Sequence, residues 1–185
     1  MSGGHGHIEG SNKKIALLVA VLAAFLAVSE TGAKSSQTEV LTQHVEATNM
    51  WTFFQAKTVR QTVVRTAAEG LDAQYKDADN APAAVKAQIE QWRKTAQRYD
   101  TEPETNEGRK ELTARAKMHE AKREEARAAY HLFEYGSAAF QLAIVLASAA
   151  AVTSVLMLAF IAGGLGLVGA ALTALGFLAP TLVHL

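Results

Sequence analysis

The chain has 185 residues, with 18 basic and 18 acidic side chains and no cysteine. Zero net charge argues against nucleic acid as a partner, because phosphate binding needs a net basic face. Without cysteine there are no disulfides and no thiolate metal site, and the redox compartment stays open.

The first fourteen residues, 1–14, are rich in glycine and read as a mobile N-terminal tail; the alternative for its His5 and His7 is binding of a stray metal ion. Lys13 and Lys14 then precede a short apolar run at residues 15–28. A basic start, a short apolar core and small residues after it also describe a secretory signal. Fourteen residues are short for a bilayer core of ~30 Å, but Gly32 and Ala33 extend the helix, so an uncleaved anchor over residues 15–33 is the preferred reading. Glu30 falls at its end, four residues before Lys34, where the two can pair on one helix face. The functional alternative for Glu30 is an intramembrane proton or ion site.

Residues 34–136 are polar and strongly helical in composition. Thirty-two of the charged side chains lie here, sixteen of each sign, since only Glu9, Lys13, Lys14 and Glu30 precede residue 34 and none follows Glu134. Val40, Leu41, His44, Val45, Thr48, Trp51, Thr52, Phe54, Thr58, Val59, Thr62 and Val63 recur at spacings of three and four, which predicts one stripe on a long helix. Asn80 reads as the N-cap of a second helix, with Pro82 in its first turn. Val85, Ile89, Trp92 and Ala96 mark the inner face of that helix. The stretch around Pro103 breaks it, and a third helix from about Thr105 carries Leu112, Ala116, His119, Arg123, Ala126, Tyr130 and Phe133. At 1.5 Å per residue the outgoing helix is ~67 Å long, and the two returning pieces are ~28 and ~48 Å. These lengths favour a long helical hairpin with a broken return arm; a compact bundle would need the first helix to bend near Gly70. Such a hairpin has little apolar area of its own to bury. Trp51, Phe53, Phe54 and Trp92 are therefore expected to be covered by a neighbouring copy or partner, with Lys57 beside them.

From residue 135 to residue 185 no Lys, Arg, Asp or Glu occurs. Fifty-one uncharged residues fit two crossings of ~20 residues each, read as residues 137–162 and, after a turn at Gly163-Gly164, the remainder of 163–185. Gly166, Gly169, Ala170 and Gly176 are spaced for close helix approach in lipid, either within the hairpin or between copies. Only Gln141 brings an amide to these spans, which argues against a pore. A di-iron carboxylate bundle needs two Glu-x-x-His motifs, and His131 with Glu134 is one reversed pair. There is no phosphate loop and no nucleophile elbow. Residues 109–127 hold seven basic and four acidic side chains, the mark of a solvated helix face.

Two stretches carry a family resemblance. Asn49-Met50-Trp51-Thr52-Phe53-Phe54-Gln55-Ala56-Lys57-Thr58-Val59-Arg60 resembles the W-x-[FY]-[FY]-Q-A-K motif of an uncharacterised bacterial membrane-protein family, number 4337 among the domains of unknown function. Phe133-Glu134-Tyr135, followed by Phe140-Gln141-Leu142-Ala143-Ile144-Val145-Leu146-Ala147-Ser148, resembles its second motif. The resemblance implies one N-terminal anchor, a helical domain, a two-span C-terminal hairpin and no known activity. Members often carry basic residues in the last turn; Ala162-Gly163-Gly164 stands there in this reading.

The expectation is an all-α integral membrane protein of the bacterial inner membrane, with an N-terminal transmembrane anchor, a long helical hairpin domain and a C-terminal two-span transmembrane hairpin. Lys13 and Lys14 favour a cytoplasmic N-terminus, which puts the helical domain in the periplasm. The expected function is non-enzymatic and cofactor-free: a scaffold or accessory subunit in the lipid bilayer that self-associates as a homo-oligomer or joins a larger membrane complex. The alternative is an oligomeric channel or transporter component using Glu30.

Overall fold

The computed structural model describes the backbone of residues 5–75 and 81–182, with side chains from Lys13 onward. Among the described residues the chain is all helical, with α1 (His5–Gln74), α2 (Ala83–Asp100), α3 (Arg109–Thr153), α4 (Leu156–Leu178) and a short 3-10 turn at Pro180–Leu182. Three helices, α1, α3 and α4, are long and apolar enough to cross a membrane. Helix α1 begins at His5, inside the segment expected as a mobile tail. Asn80 lies outside the described residues; Pro82 sits just before α2, and its carbonyl accepts the Val85 and Lys86 amides at 2.9 and 3.2 Å. The chain divides into two compact units, Met1–Leu41 with Arg123–Leu185, and Thr42–Lys122.

In the first unit, parts of α1 and α3 pack with α4 through small residues. The core joins Ile15 and Leu22 of α1, Phe140, Ala143, Ala147 and Ala150 of α3, and Ala162 of α4. Gly136 and Gly169 meet backbone to backbone: a Cβ on Gly136 would stand 3.2 Å from the Gly169 oxygen, and one on Gly169 3.1 Å from the Gly136 oxygen. Phe133 fills the space between Gly32 and Gly176, where an added Cβ would come within 2.8 and 2.9 Å of its ring. A buried polar chain crosses the same level. Ser29 donates its hydroxyl to the Phe133 carbonyl at 2.8 Å, and Thr173 lies 3.1 Å from Ser29 while also bonded to the Gly169 carbonyl. Large apolar side chains point the other way, with Leu17, Phe160, Leu167 and Leu178 all exposed.

The turn joining the last two helices falls at Ser154-Val155, not at Gly163-Gly164. Ser154 takes the left-handed conformation, φ 56°, that ends α3. Gly163 and Gly164 lie inside α4, whose 23 residues extend ~35 Å and can span the bilayer core. The expected boundary at residues 162–163 therefore moves back by about nine residues. Glycine signals a turn in water, but within a long apolar helix its cost is only about 1 kcal/mol, and Gly163 and Gly164 stay helical although a Cβ on either would meet nothing within 4 Å.

In the second unit, α2 and the start of α3 return in succession along α1. Gln61 donates to the Ala96 carbonyl at 3.0 Å and Arg93 pairs with Asp72 at 2.7 Å, tying α2 to α1. Trp51 donates to Glu120 at 2.8 Å and His119 meets Gln43 at 2.6 Å, tying α3 to α1. Helix α1 continues through Gly70 to Gln74. The inner faces of α2 (Val85, Ile89, Trp92, Ala96) and α3 (Leu112, Ala116, His119) lie where their spacing predicts, buried or half-buried. The predicted stripe on α1 does so only in part, with Val40, Trp51, Phe54 and Thr58 half-buried. Its Leu41, Val45, Val59 and Val63 are exposed, as are His44, Thr48, Thr52 and Thr62. The inward face is instead Gln43, Ala47, Met50, Phe54, Lys57, Gln61, Val64 and Ala68. Polar side chains occupy inner positions because each finds a partner, and alanines occupy others because the helices approach closely. Apolarity alone therefore missed much of the inward face of α1.

Gly169→Val should lower the stability of the detergent-solubilised protein by about 1–3 kcal/mol through overpacking. Gly163→Ala, where an added Cβ meets nothing within 4 Å, should raise it by up to about 1 kcal/mol on helix propensity. Denaturant unfolding of the two variants checks this; equal effects would contradict the close-packed Gly136–Gly169 crossing.

Candidate functional site

Lys57 is the centre of the second unit. It sits one helical turn beyond Phe53 and Phe54 on α1, on the inward face, and is only 5% exposed. A buried lysine is rare unless paired. Its ammonium meets Glu102 at 3.1 Å and Glu107 at 3.8 Å. It also lies 5.5 Å from the Phe53 ring centre and 5.4 Å from that of Tyr99, within cation–π range.

The carboxylates reach Lys57 because residues 101–108 form a loop rather than helix. Asn106 is left-handed, φ 55°. Gly108 is buried, and any Cβ there would run into the Glu102 amide and the Glu111 carboxylate. Helix α3 consequently begins at Arg109, four residues later than expected. Glu111, in its first turn, accepts the Glu102 amide at 3.2 Å and closes the loop.

Arg109 supplies the second cation of the cluster. Its guanidinium lies 5.1 Å from the Phe54 ring centre, donates to Thr58 at 3.0 Å and to Gln61, and pairs with Asp100 at 3.3 Å. Trp51 meets Phe54 edge-to-face at 5.6 Å while its indole N–H is held by Glu120. The hydrogen bond from Lys57, aided by the Lys57 and Arg98 charges and opposed by burial, holds the Glu102 carboxyl below its ordinary value of 4.5.

The residues expected to face a partner also make contacts inside the chain. Trp51, Phe53 and Phe54 are half-buried, Lys57 is enclosed, and Trp92 is half-buried on the inner face of α2. Gly166, Gly169 and Gly176 are buried in the first unit against Leu22, Phe140 and Phe133, with Ala170 partly buried beside that core. Close packing uses their small size within the monomer. Glu30 is exposed and accepts a hydrogen bond from Gln141 at 3.4 Å; no ion pair joins it to Lys34 among the described residues. Sequence reasoning passed over Tyr99, Glu102, Glu107 and Arg109, which read as a helix break and a solvated charge run. The 3-4 spacing of Gln43, Ala47, Met50, Phe54, Lys57, Gln61, Val64 and Ala68 was the available signal. Among the described residues no group of three or more His, Asp or Glu is gathered to hold a metal ion.

Fold and cluster together define an all-helical protein with three helices able to cross a membrane and a cation–aromatic clasp in its polar unit. The family described as "Domain of unknown function (DUF4337)" matches residues 11–179, and the chain belongs to it. No curated protein and no solved structure matches the chain.

Trp51→Phe removes a hydrogen bond to a charged acceptor and should lower stability by about 1–2 kcal/mol in denaturant unfolding. Glu102 makes a pH-dependent contribution of known sign. Its folded pKa is depressed, so the stability it adds is present above 4.5 and is lost as pH falls through the lower folded value. Glu102→Gln should therefore flatten the acid limb of the stability profile; an unchanged limb would assign acid sensitivity to other carboxylates.

Proposed function

We propose that this protein is a non-enzymatic membrane scaffold or accessory subunit, seated in the bacterial inner membrane with three spans and its polar helical unit in the periplasm. The observation that carries this reading is the packing of the first unit: glycines, alanines, Ser29 and Thr173 are buried around a few large side chains such as Leu22, Phe133 and Phe140, while Leu17, Phe160, Leu167 and Leu178 are exposed. Water would penalise that surface, and lipid accepts it. Lys13 and Lys14 before the first span support a cytoplasmic N-terminus. The clasp supports a structural role, since the Lys57 ammonium is enclosed by two carboxylates and two rings and offers no open nucleophile. The protein acts by packing, either with copies of itself or within a larger membrane complex.

Transport through an oligomer is the second reading. Glu30 and Gln141 form a polar pair exposed on an otherwise apolar surface. Such groups are expensive against lipid and usually find protein or water.

The mass of the complex extracted gently from native membranes tests both. A single-component oligomer or stoichiometric foreign subunits is the expected result, and a clean monomer would overturn the scaffold reading. Glu30→Gln should leave that mass and ion conductance unchanged; conductance lost with mass intact would move the assignment to transport.

A further inference from the structure

Helices α1 and α4 set a depth scale for the first unit. Leu22 faces Gly166 and Ser29 meets Thr173, and both pairs are 144 residues apart. The two helices therefore run parallel in register, and Leu178, the last residue of α4, stands level with Lys34. Phe133, set against both Gly32 and Gly176, brings α3 to the same level. With α4 spanning a hydrocarbon core of ~30 Å, the edge of that core where α1 continues falls close to Lys34. A cleft of about 270 Å³ opens between α1 and α3 beyond that edge, lined by Gln37, Val40, Leu41, Arg127, Tyr130 and His131. Gln37 and Leu41 lie about 5 and about 10 Å further along α1 than Lys34. That distance covers a headgroup layer of ~5–8 Å.

We infer that this cleft binds the phosphodiester of a bilayer phospholipid; the inference rests on the membrane-seated reading above and adds a ligand to it. Gln37, Arg127, Tyr130 and His131 all carry N–H or O–H donors. The Arg127 guanidinium is loosely held. Its ion pair is with Glu124 at 3.9 Å, and that carboxylate is already taken by Arg123 at 2.8 Å. A planar guanidinium presents paired donors that match two phosphate oxygens. Lys34 is a second cation at the inner rim, on the same side of α1 as Gln37 and Leu41 by its spacing of three and seven. It is exposed and forms no ion pair among the described residues, and its flexible stem can carry the ammonium outward to the same oxygens. Val40 and Leu41 stand at the outer end, where Leu41, 62% exposed, offers apolar contact to the alcohol carbons beyond the phosphate.

Charge decides which part of the lipid is read. Glu134 accepts the Tyr130 hydroxyl at 3.2 Å and stands 3.8 Å from His131, and Glu30, a turn deeper than Lys34, accepts from Gln141. With Glu124, these carboxylates offset the two cations, so the cleft has no net positive charge with which to prefer an anionic headgroup over a zwitterionic one. Both kinds of lipid share the phosphodiester, and the donors suit that group. A lipid supplies it better than solution does, because the acyl chains hold the phosphate at this depth at high effective concentration.

The full chain, purified in mild detergent and stripped of lipid, is titrated with phosphatidylglycerol, phosphatidylethanolamine, diacylglycerol or inorganic phosphate and read by native mass spectrometry. One retained adduct in comparable yield with either phospholipid is expected, and none above background with diacylglycerol or inorganic phosphate. Arg127→Ala, at an exposed side chain whose loss leaves helix content intact, should lower that adduct several-fold. Arg115→Ala, at an exposed arginine outside the cleft, should leave it unchanged. Equal retention of diacylglycerol would overturn the phosphate assignment, and equal binding of inorganic phosphate would overturn the lipid source. An adduct untouched by Arg127→Ala would overturn the site. Loss of the adducts alone leaves the membrane reading standing, whereas a chain that stays monodisperse in water without detergent or bilayer removes both.

Discussion

The first unit depends on two helix backbones touching. At Gly136 and Gly169 the carbonyl oxygen of each helix lies 3.1–3.2 Å from the point where the other's side chain would begin. Lipid tails are as apolar as leucine, so no hydrophobic gain drives helices together within a bilayer. What remains is dispersion at close range and the few hydrogen bonds that close range permits. The Gly136–Gly169 crossing supplies the range, and Ser29 and Thr173 then reach partners on other helices. Phe133 can sit buried only because Gly32 and Gly176 leave space for its ring on both sides. Phe140 uses the same arrangement, set against Gly169 and stacked on Phe25 at 5.9 Å.

The second unit solves a different problem. Its helices are polar and its apolar area is small, so side-chain specificity replaces bulk burial. Lys57 and Gln61 face inward and are held by named acceptors rather than by solvent. An enclosed ion pair adds little net stability, because desolvation offsets most of the attraction. Its consequence is positional: with Lys57 tied to Glu102 and Arg109 laid over Phe54, the loop at residues 101–108 has one register against α1. The first unit thus seats a few large side chains in gaps left by small ones and is apolar outside, and the other is partly polar inside.

This arrangement explains the two stretches by which the chain resembles its family. Trp51, Phe53, Phe54 and Lys57 build the clasp, while Phe133, Phe140, Ala143 and Ala147 face the core of the first unit. Both motifs are architectural in this chain.

Composition and spacing alone determined that the chain is helical, which three segments are apolar enough to cross a membrane, and which faces of α2 and α3 turn inward. Those features follow from local propensity and from apolar periodicity, both of which are properties of neighbouring residues. Tertiary structure alone decided that the last turn uses Ser154 instead of Gly163-Gly164, that Gly166, Gly169 and Gly176 pack within the monomer, and that α1 presents Val45 and Val59 outward while burying Lys57. Each of these turns on a partner distant in sequence: Gly136 for Gly169, Phe133 for Gly176, Glu102 for Lys57. A lysine is inward-facing only where two carboxylates and two rings await it, and no periodicity within α1 contains them.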